Sequence, residues 1–313
     1  LYYGVNTQTK HIILADRKTL KCPNGIVLGT PGSGKSFFAK REMANAFFAT
    51  NDHILILDPE NEYTALTEQL HGQTIYLAPD SHSYLNPMDL DLSTDVGESP
   101  MLMQADFLLS QCELMMASYG NPLMPIEKSL IDRCISLVYR DYLKNPRPEN
   151  MPVLGDLYQC LREQHNSRAD DLATAMEIYV TGSLSYLNHR TNVDLNNRMV
   201  CYNTSKLGQG LKKLVMSNVQ KHIWQRTAVN RYAGITTRIF LDEFHLLLKE
   251  PQTAAYTAEI YKRFRKWNGI PTSLTQNVKD LLDSSEIENI LENSDFVLML
   301  NPVSYTHLRA HET

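Results

Sequence analysis

The sequence has no apolar run approaching the ~18 residues that a membrane-spanning helix needs; the longest are stretches such as Ile54-Leu55-Ile56-Leu57. No transmembrane segment is therefore expected in these residues, and nothing at the N-terminus resembles a signal peptide. Cysteine is scarce: Cys22, Cys112, Cys134, Cys160 and Cys201 are odd in number and widely scattered. They form neither zinc-ligand pairs nor a disulfide framework, which suits a reducing compartment. Lys and Arg are absent from residues 42–127, which carry 14 Asp and Glu, whereas residues 206–270 hold 12 Lys and Arg against 4 acids. The net charge of −5 thus hides an acidic front and a basic back. Such asymmetry points to partners, either another copy of the chain or a polyanion. An initiating Met is lacking too, so the chain, which opens on Leu1, is expected to be a fragment that continues on both sides. Residues 304–313 show no helical or strand periodicity and resemble translated vector sequence; 303–313 is read as a non-native tail.

What is present is enough apolar material for a core. At 43 % hydrophobic and 21 % charged residues, wholesale disorder is excluded. Apolar runs and breakers predict strands at His11–Ala15, Gly25–Gly29, Ile54–Leu57 and Thr74–Leu77, with helices over Lys35–Ala49 and Asn61–Leu70. This alternation is α/β with a mainly parallel sheet and right-handed crossovers. After an acidic loop at Pro79–Pro100, residues 101–179 carry only helical periodicity, with Met101, Leu102, Phe107, Leu108, Leu109, Leu114 and Met115 read as core. Strands resume at Met199–Asn203, Ile239–Leu241, Ile270–Thr275 and Phe296–Leu300. The expected organisation is an α/β core in two parts, 1–78 and 198–302, interrupted by a mostly helical insertion at 79–197.

The strongest chemical signal is Gly29-Thr-Pro-Gly-Ser-Gly-Lys-Ser36, which fits the Walker A pattern G-x-x-x-x-G-K-[ST]. Gly29, Gly32 and Gly34 let the backbone N–H groups of the loop, with Thr30, Pro31 and Ser33, curl around phosphate oxygens. Lys35 would reach the β- and γ-phosphates and the Ser36 hydroxyl would ligate Mg²⁺; Phe37 opens the following helix, whose positive N-terminus faces the same anion. The second signal is Arg238-Ile-Phe-Leu-Asp-Glu-Phe-His245, an aliphatic strand ending in two acids, as in Walker B. Asp242 would hold the metal and Glu243 would polarise the attacking water as general base. His245 reads as an ordinary polar or packing residue.

Three weaker signals follow. Asp58-Pro-Glu-Asn-Glu-Tyr63 begins at the end of the Ile54–Leu57 strand, which is expected beside the phosphate loop. Glu60, or its neighbour Glu62, can then touch the water or the metal, although a helix N-cap with first-turn acids would explain the segment equally well. Gln276, after Thr275 at another strand end, can sense the γ-phosphate and relay its loss. The basic helix Tyr261-Lys-Arg-Phe-Arg-Lys-Trp267 offers Arg263 or Arg265 as an arginine finger for a neighbouring subunit; these two, with Lys262 and Lys266, also suit DNA phosphates or a solvated face. Lys212, Lys213, Lys221, Arg226 and Arg231 read as surface.

In this order the motifs resemble the HerA–FtsK superfamily of P-loop motors, and within it the conjugative and type IV secretion ATPases of the VirB-four kind (TraC and TrbE relatives). The residues that carry the likeness are Tyr3-Gly-Val-Asn6, Gly29–Ser36, Asp58–Tyr63, Leu241-Asp-Glu-Phe244, the Arg263/Arg265 helix and Thr275-Gln276, so it spans residues 1 to about 302. The resemblance implies a RecA-like core that binds ATP and Mg²⁺ and works as a homo-oligomer, a hexamer, on the cytoplasmic face of the inner membrane. It also implies contact with other secretion-channel subunits and a role in pilus assembly and in export of DNA or protein. The competing readings are a DNA-translocating motor of the HerA, FtsK or coupling-protein type, and an ATP-gated assembly scaffold with little turnover.

Overall fold

Short aliphatic runs buried on both faces are what a central parallel strand requires, and the principal sheet is built from them. The computed structural model describes residues 1–92, 99–117, 122–276 and 286–300. Its strands are β1 (Tyr2–Val5), β2 (Ile12–Leu14), β3 (Gly25–Gly29), β4 (His53–Asp58), β5 (Gln73–Tyr76), β6 (Met199–Asn203), β7 (Thr237–Leu241), β8 (Gly269–Thr275) and β9 (Phe296–Leu300). β1 and β2 pair antiparallel as a separate ribbon, with Tyr2 opposite Leu14. The other strands form one seven-stranded sheet in the order β5-β6-β4-β7-β8-β3-β9. From β6 across to β9 every neighbouring pair is parallel. This is the α/β architecture of a P-loop nucleotide-binding fold, with every principal strand near its expected place.

The chain divides into two compact units. The first comprises Leu1–Ile75, Leu195–Asn203 and the described residues from Arg226 onward; the second comprises Tyr76–Asp194 and Thr204–Gln225. In the first, helix α1 (Lys35–Ala49) lays Phe38, Ala39, Met43 and Ala46 on a core with Val27, Ile54, Ile56, Cys201, Phe240 and Leu274. A short helix, α2 (Thr64–Gln69), follows β4. The second unit contains α3 (Pro100–Ala117), α4 (Pro125–Val138), α5 (Arg140–Lys144), α6 (Leu154–Arg162) and α7 (Ser167–Val180). It also takes the first part of α8 (Gln209–Tyr232), which the sequence assigns to the core. The reason is a polar as well as apolar docking of α8: Asn218 donates to Leu85 O at 2.9 Å, and Lys221 Nζ to Pro87 O at 2.8 Å and Asp89 O at 2.6 Å.

Two expectations change in this helical unit. Lys221, read as surface, is buried, its ammonium 4.7 Å from the Phe107 ring centroid, and burial lowers its pKa to about 7 against the raising effect of Asp89. Leu102, read as core, sits in the first turn of α3 and is 59 % exposed. Phe107, Leu108, Leu114 and Met115 are buried.

Behind the sheet of the first unit lies a chain of buried charges with no signature in any contiguous stretch of sequence. Arg17, 1 % exposed, donates to Glu42 Oε1 of α1 at 3.0 Å, to Thr272 Oγ1 of β8 at 2.8 Å and to Pro23 O at 2.9 Å. Arg238, at the start of β7, pairs with Asp52 at 2.8 Å and Glu42 at 3.5 Å, and Lys18 closes on Asp52 at 2.6 Å. Gly25 is glycine because a Cβ there would stand 2.6 Å from the Arg17 guanidinium. Removing one member of such a network strands its partner's charge, at a cost of about 3–5 kcal/mol. Arg17→Ala is accordingly expected to lower the urea midpoint of unfolding by that equivalent; an unchanged midpoint would show the network to be energetically idle.

Candidate active site

The phosphate loop grows out of β3. A Cβ on Gly29 would lie 2.4 Å from Ser33 Oγ and 2.8 Å from Leu300 O, so only glycine permits this close turn. Gly32 and Gly34 have φ of +75° and +95°, the left-handed region that glycine occupies at little cost. A Cβ at either would meet no heavy atom within 4 Å, so the loop is uncrowded at both glycines. Gly34 is also the N-cap of α1, whose first-turn N–H groups have no acceptor inside the helix. Lys35 is buried, and its Nζ donates to Gly29 O at 2.9 Å and Thr30 O at 3.2 Å, which ties the ammonium into the mouth of the loop. Ser33 Oγ is buried without a hydrogen-bond partner. A cradle rimmed by backbone N–H groups, a lysine and an orphan hydroxyl fits a polyphosphate. Phe37, carried with the loop residues, turns outward and is 72 % exposed.

β7 delivers the acids. All five of its residues are buried, and Asp242 N continues its ladder to Leu57 O at 3.2 Å. Asp242 is 4 % exposed; burial, then the charges of Glu243, Glu62 and Asp58, push its pKa up to about 7, against a hydrogen bond from the Glu243 backbone. A carboxylate so placed is stabilised by a cation. Among the described residues no group of three or more His, Cys, Asp or Glu converges to hold a metal unaided. Mg²⁺ needs no such cage, since it is commonly held by one or two protein groups together with substrate phosphates. Ser36 and Asp242 are the residues that would supply them.

Glu243 has φ +44°, a left-handed conformation unusual for a side-chain-bearing residue and a mark of functional sites. Its Oε1 accepts a 2.8 Å hydrogen bond from Gln276 Nε2, and its Oε2 lies 3.1 Å from His245 Nδ1. The two strand-end residues expected to serve as base and sensor are therefore in direct contact. His245, which the sequence gives no special weight, is the third member; the short 3-10 turn Phe244–Leu248 folds it back onto Glu243. A D-E-x-H spacing across a tight turn is the signal that announces it.

The Asp58–Tyr63 segment reaches the site by a route other than strand adjacency. β7 and β8 separate β4 from β3, so the end of β4 does not lie beside the phosphate loop as expected. Instead Asp58, fully buried, accepts from Glu62 N and Tyr63 N at 2.9 Å each and tightens the chain into a turn through Asn61, φ +58°. The turn brings the fully buried Tyr63 onto the α1 side of the sheet, with Lys40 Nζ 5.8 Å from its ring centroid. Burial and the charges of Asp242 and Glu62 drive the Tyr63 pKa upward, with the Ser36 hydroxyl beside it pulling the other way. Glu60 and Glu62 are both exposed; Glu62 is the acid of this segment whose charge acts on Asp242. The sequence narrowed the choice to these two without selecting between them.

The arginine candidates lie elsewhere. α9 (Pro251–Phe264) runs from the β7 end of the site back to the start of β8, so its C-terminal residues stand at the opposite end of the sheet from the phosphate loop. Arg263 pairs with Glu259 at 3.0 Å, as does Lys262 at 3.4 Å. Arg265 donates to Cys22 Sγ at 3.3 Å and, with Lys18, Lys21 and Asn268, borders a cleft of about 150 Å³. Neither arginine meets this chain's own site.

Comparison with known proteins places these features in context. The TraG P-loop domain family matches residues 13–310. VirB4 of Thermoanaerobacter pseudethanolicus superposes with a TM-score of 0.83 at 21 % identity, covering 99 % of this chain and 86 % of that one. Plasmid coupling protein TrwB in complex with ADP and Mg²⁺ superposes with a TM-score of 0.56 at 15 % identity, over 86 % of this chain and 68 % of that one. TrwB with a non-hydrolysable ATP analogue gives a TM-score of 0.55 at 14 % identity over the same shares. No curated protein sequence matches the chain. At these identities the structural likenesses establish a common fold.

Proposed function

Since the chain belongs to the TraG P-loop domain family, we propose that it is an ATP-hydrolysing motor of a conjugative or type IV secretion apparatus. The observation that carries the reading is the meeting of Lys35, Asp242 and the Gln276-held Glu243 at the C-terminal edge of one parallel sheet, where α/β proteins bind their ligands. The phosphate loop and Lys35 hold the triphosphate. Mg²⁺ held by Ser36 and Asp242 would supply neutralisation of the charge on the phosphates. Glu243 takes a proton from water as the water oxygen bonds to the γ-phosphorus and the bond to the bridging oxygen breaks, leaving ADP and phosphate; the proton then passes to solvent. Export of DNA or protein and pilus assembly are the work this cycle would energise, at the cytoplasmic face of the inner membrane beside other channel subunits. Among the described residues no helix is long and apolar enough to cross a membrane.

The assembly is a homo-oligomer, a hexamer in the family's pattern, in which Arg263 or Arg265 is offered to a neighbour's nucleotide. The charge layout supports this arrangement: the exposed acids Glu60 and Glu62 stand at the phosphate end of the sheet, and the exposed Lys18, Lys21, Arg265 and Lys266 at the other. Self-association is expected to weaken steeply as salt rises, because exposed charges are screened within about 10 Å at 0.1 M. Sedimentation at low and high salt, with phosphate release followed in parallel, tests both halves of the reading. Assembly indifferent to salt contradicts the charge argument, and assembly on ATP without phosphate release favours an ATP-gated scaffold. The basic end also suits a polyanion, so a DNA-translocating motor stands as the second reading. Stimulation of hydrolysis by DNA, falling steeply with salt, would favour it.

A further inference from the structure

We propose that Phe37 seats the nucleobase: its exposed ring stacks on the base of the nucleotide whose phosphates occupy the loop Gly29–Ser36. The proposal rests on the nucleotide-binding part of the function argued above, and not on hydrolysis. Phe37 stands in the first turn of α1 directly after Ser36, and its side chain is exposed where that of the next residue, Phe38, is buried. Single apolar side chains are common on protein surfaces, so exposure alone decides nothing. The direction in which a nucleotide must run decides it, and the two flanks of α1 give that direction.

On one flank the Ser36 hydroxyl lies beside Tyr63, and Lys40, four residues on, has its Nζ 5.8 Å from the Tyr63 ring centroid. This flank faces the acids, since the charges of Asp242, Glu62 and Asp58 all act on Tyr63. Glu243 and Gln276, which follow β7 and β8, lie on the same side of β3 in the sheet. The metal and the terminal phosphate therefore belong here. On the other flank Phe37 is followed four residues on by Arg41, which donates to Tyr3 O at 2.9 Å and lies 5.5 Å from the Tyr2 ring centroid. Tyr3 packs in turn on Phe296 of β9, with 5.4 Å between centroids, and β9 flanks β3 on the side away from β8. A triphosphate with its γ end at β7 and β8 thus crosses the end of β3 and leaves its nucleoside on this second flank, where Phe37 meets it. Phe48, the other exposed aromatic of α1, is about 16 Å further along the helix and out of reach of a base whose phosphates sit in the loop. Stacking uses the face that every base has, so the contact does not by itself tell ATP from GTP.

The test compares ligands with and without a base on the purified full chain. Calorimetric titrations use ADP, the imido-bridged analogues of ATP and GTP, and inorganic tripolyphosphate, each with Mg²⁺. Phe37→Ala should weaken all three nucleotides about tenfold, the worth of one stacked base, and leave tripolyphosphate within about twofold of wild type. Its thermal melt should not move, because the ring is exposed. Phe37→Trp should recover the nucleotide affinity. The indole emission it adds over wild type should be quenched by the nucleotides and not by tripolyphosphate. Wild-type nucleotide affinity in Phe37→Ala, an equal loss for tripolyphosphate, or an added emission indifferent to nucleotide each overturns the proposal. Unchanged affinity together with weakened self-association in sedimentation would assign the ring to a contact between copies instead. If the wild type binds the analogues yet releases no phosphate from ATP, the hydrolytic reading fails while the comparison still decides whether Phe37 holds the base. Binding of neither nucleotide nor tripolyphosphate by the wild type would contradict both.

Discussion

Replacing Lys35 with alanine is expected to abolish measurable ATP hydrolysis and to weaken triphosphate binding far more than diphosphate binding. The ammonium is buried at the mouth of the phosphate loop, held by the carbonyls of Gly29 and Thr30, and so is placed to meet phosphate without reorganising. Losing one preorganised electrostatic contact in such a site costs about 10²–10³ in rate, and loss of binding compounds it. The loop is expected to survive the change, because its shape comes from Gly29, Gly32 and Gly34 rather than from the lysine. Titration with a fluorescent ATP analogue and with ADP, alongside a thermal melt, separates lost chemistry from lost fold. Hydrolysis by Lys35→Ala within about threefold of wild type would mean that the site lies elsewhere.

Glu243→Gln should behave differently: nucleotide binding persists while turnover falls by about 10²–10⁴, the usual worth of a general base. The substitution keeps the volume of the side chain and leaves Gln276 an oxygen to donate to, so the geometry of the turn is retained. What it removes is the atom that accepts the proton. ATP recovered intact from the protein after gel filtration, where the wild type yields ADP, would be the direct sign. A variant that loses ATP binding altogether would instead assign Glu243 to holding nucleotide.

The parts of this site that were legible in the sequence are those written in consecutive residues. Gly29–Ser36 announces itself because a left-handed turn demands glycine at Gly32 and Gly34, and the fully buried β7 announces itself because two acids follow an aliphatic run. Helical periodicity over residues 101–179 was legible too, but not that the first part of α8 joins that unit. What stayed hidden depends on residues far apart in the chain. The contact between Gln276 and Glu243 spans 33 positions and exists because β8 takes its place between β3 and β7, an order that periodicity does not encode. Glu62, rather than Glu60, acts on Asp242 because Asp58 tightens the turn between them. The burial of Lys221 and of Arg17 follows from carbonyls and carboxylates supplied by distant segments, so composition suggested surface for the first and nothing for the second. Arg263 and Arg265 were found as a charged helix, but only the path of α9 shows that they stand away from this chain's own loop.

That Glu243 activates water for attack on a nucleotide held by Lys35 is the centre of the account. Single-turnover phosphate release from Mg²⁺–ATP, followed side by side in purified wild-type and Glu243→Gln protein at saturating nucleotide, tests it most directly. The account predicts a release phase in the wild type and one slower by at least about a hundredfold in the variant, with both proteins loaded with nucleotide. Equal rates in the two proteins would contradict it.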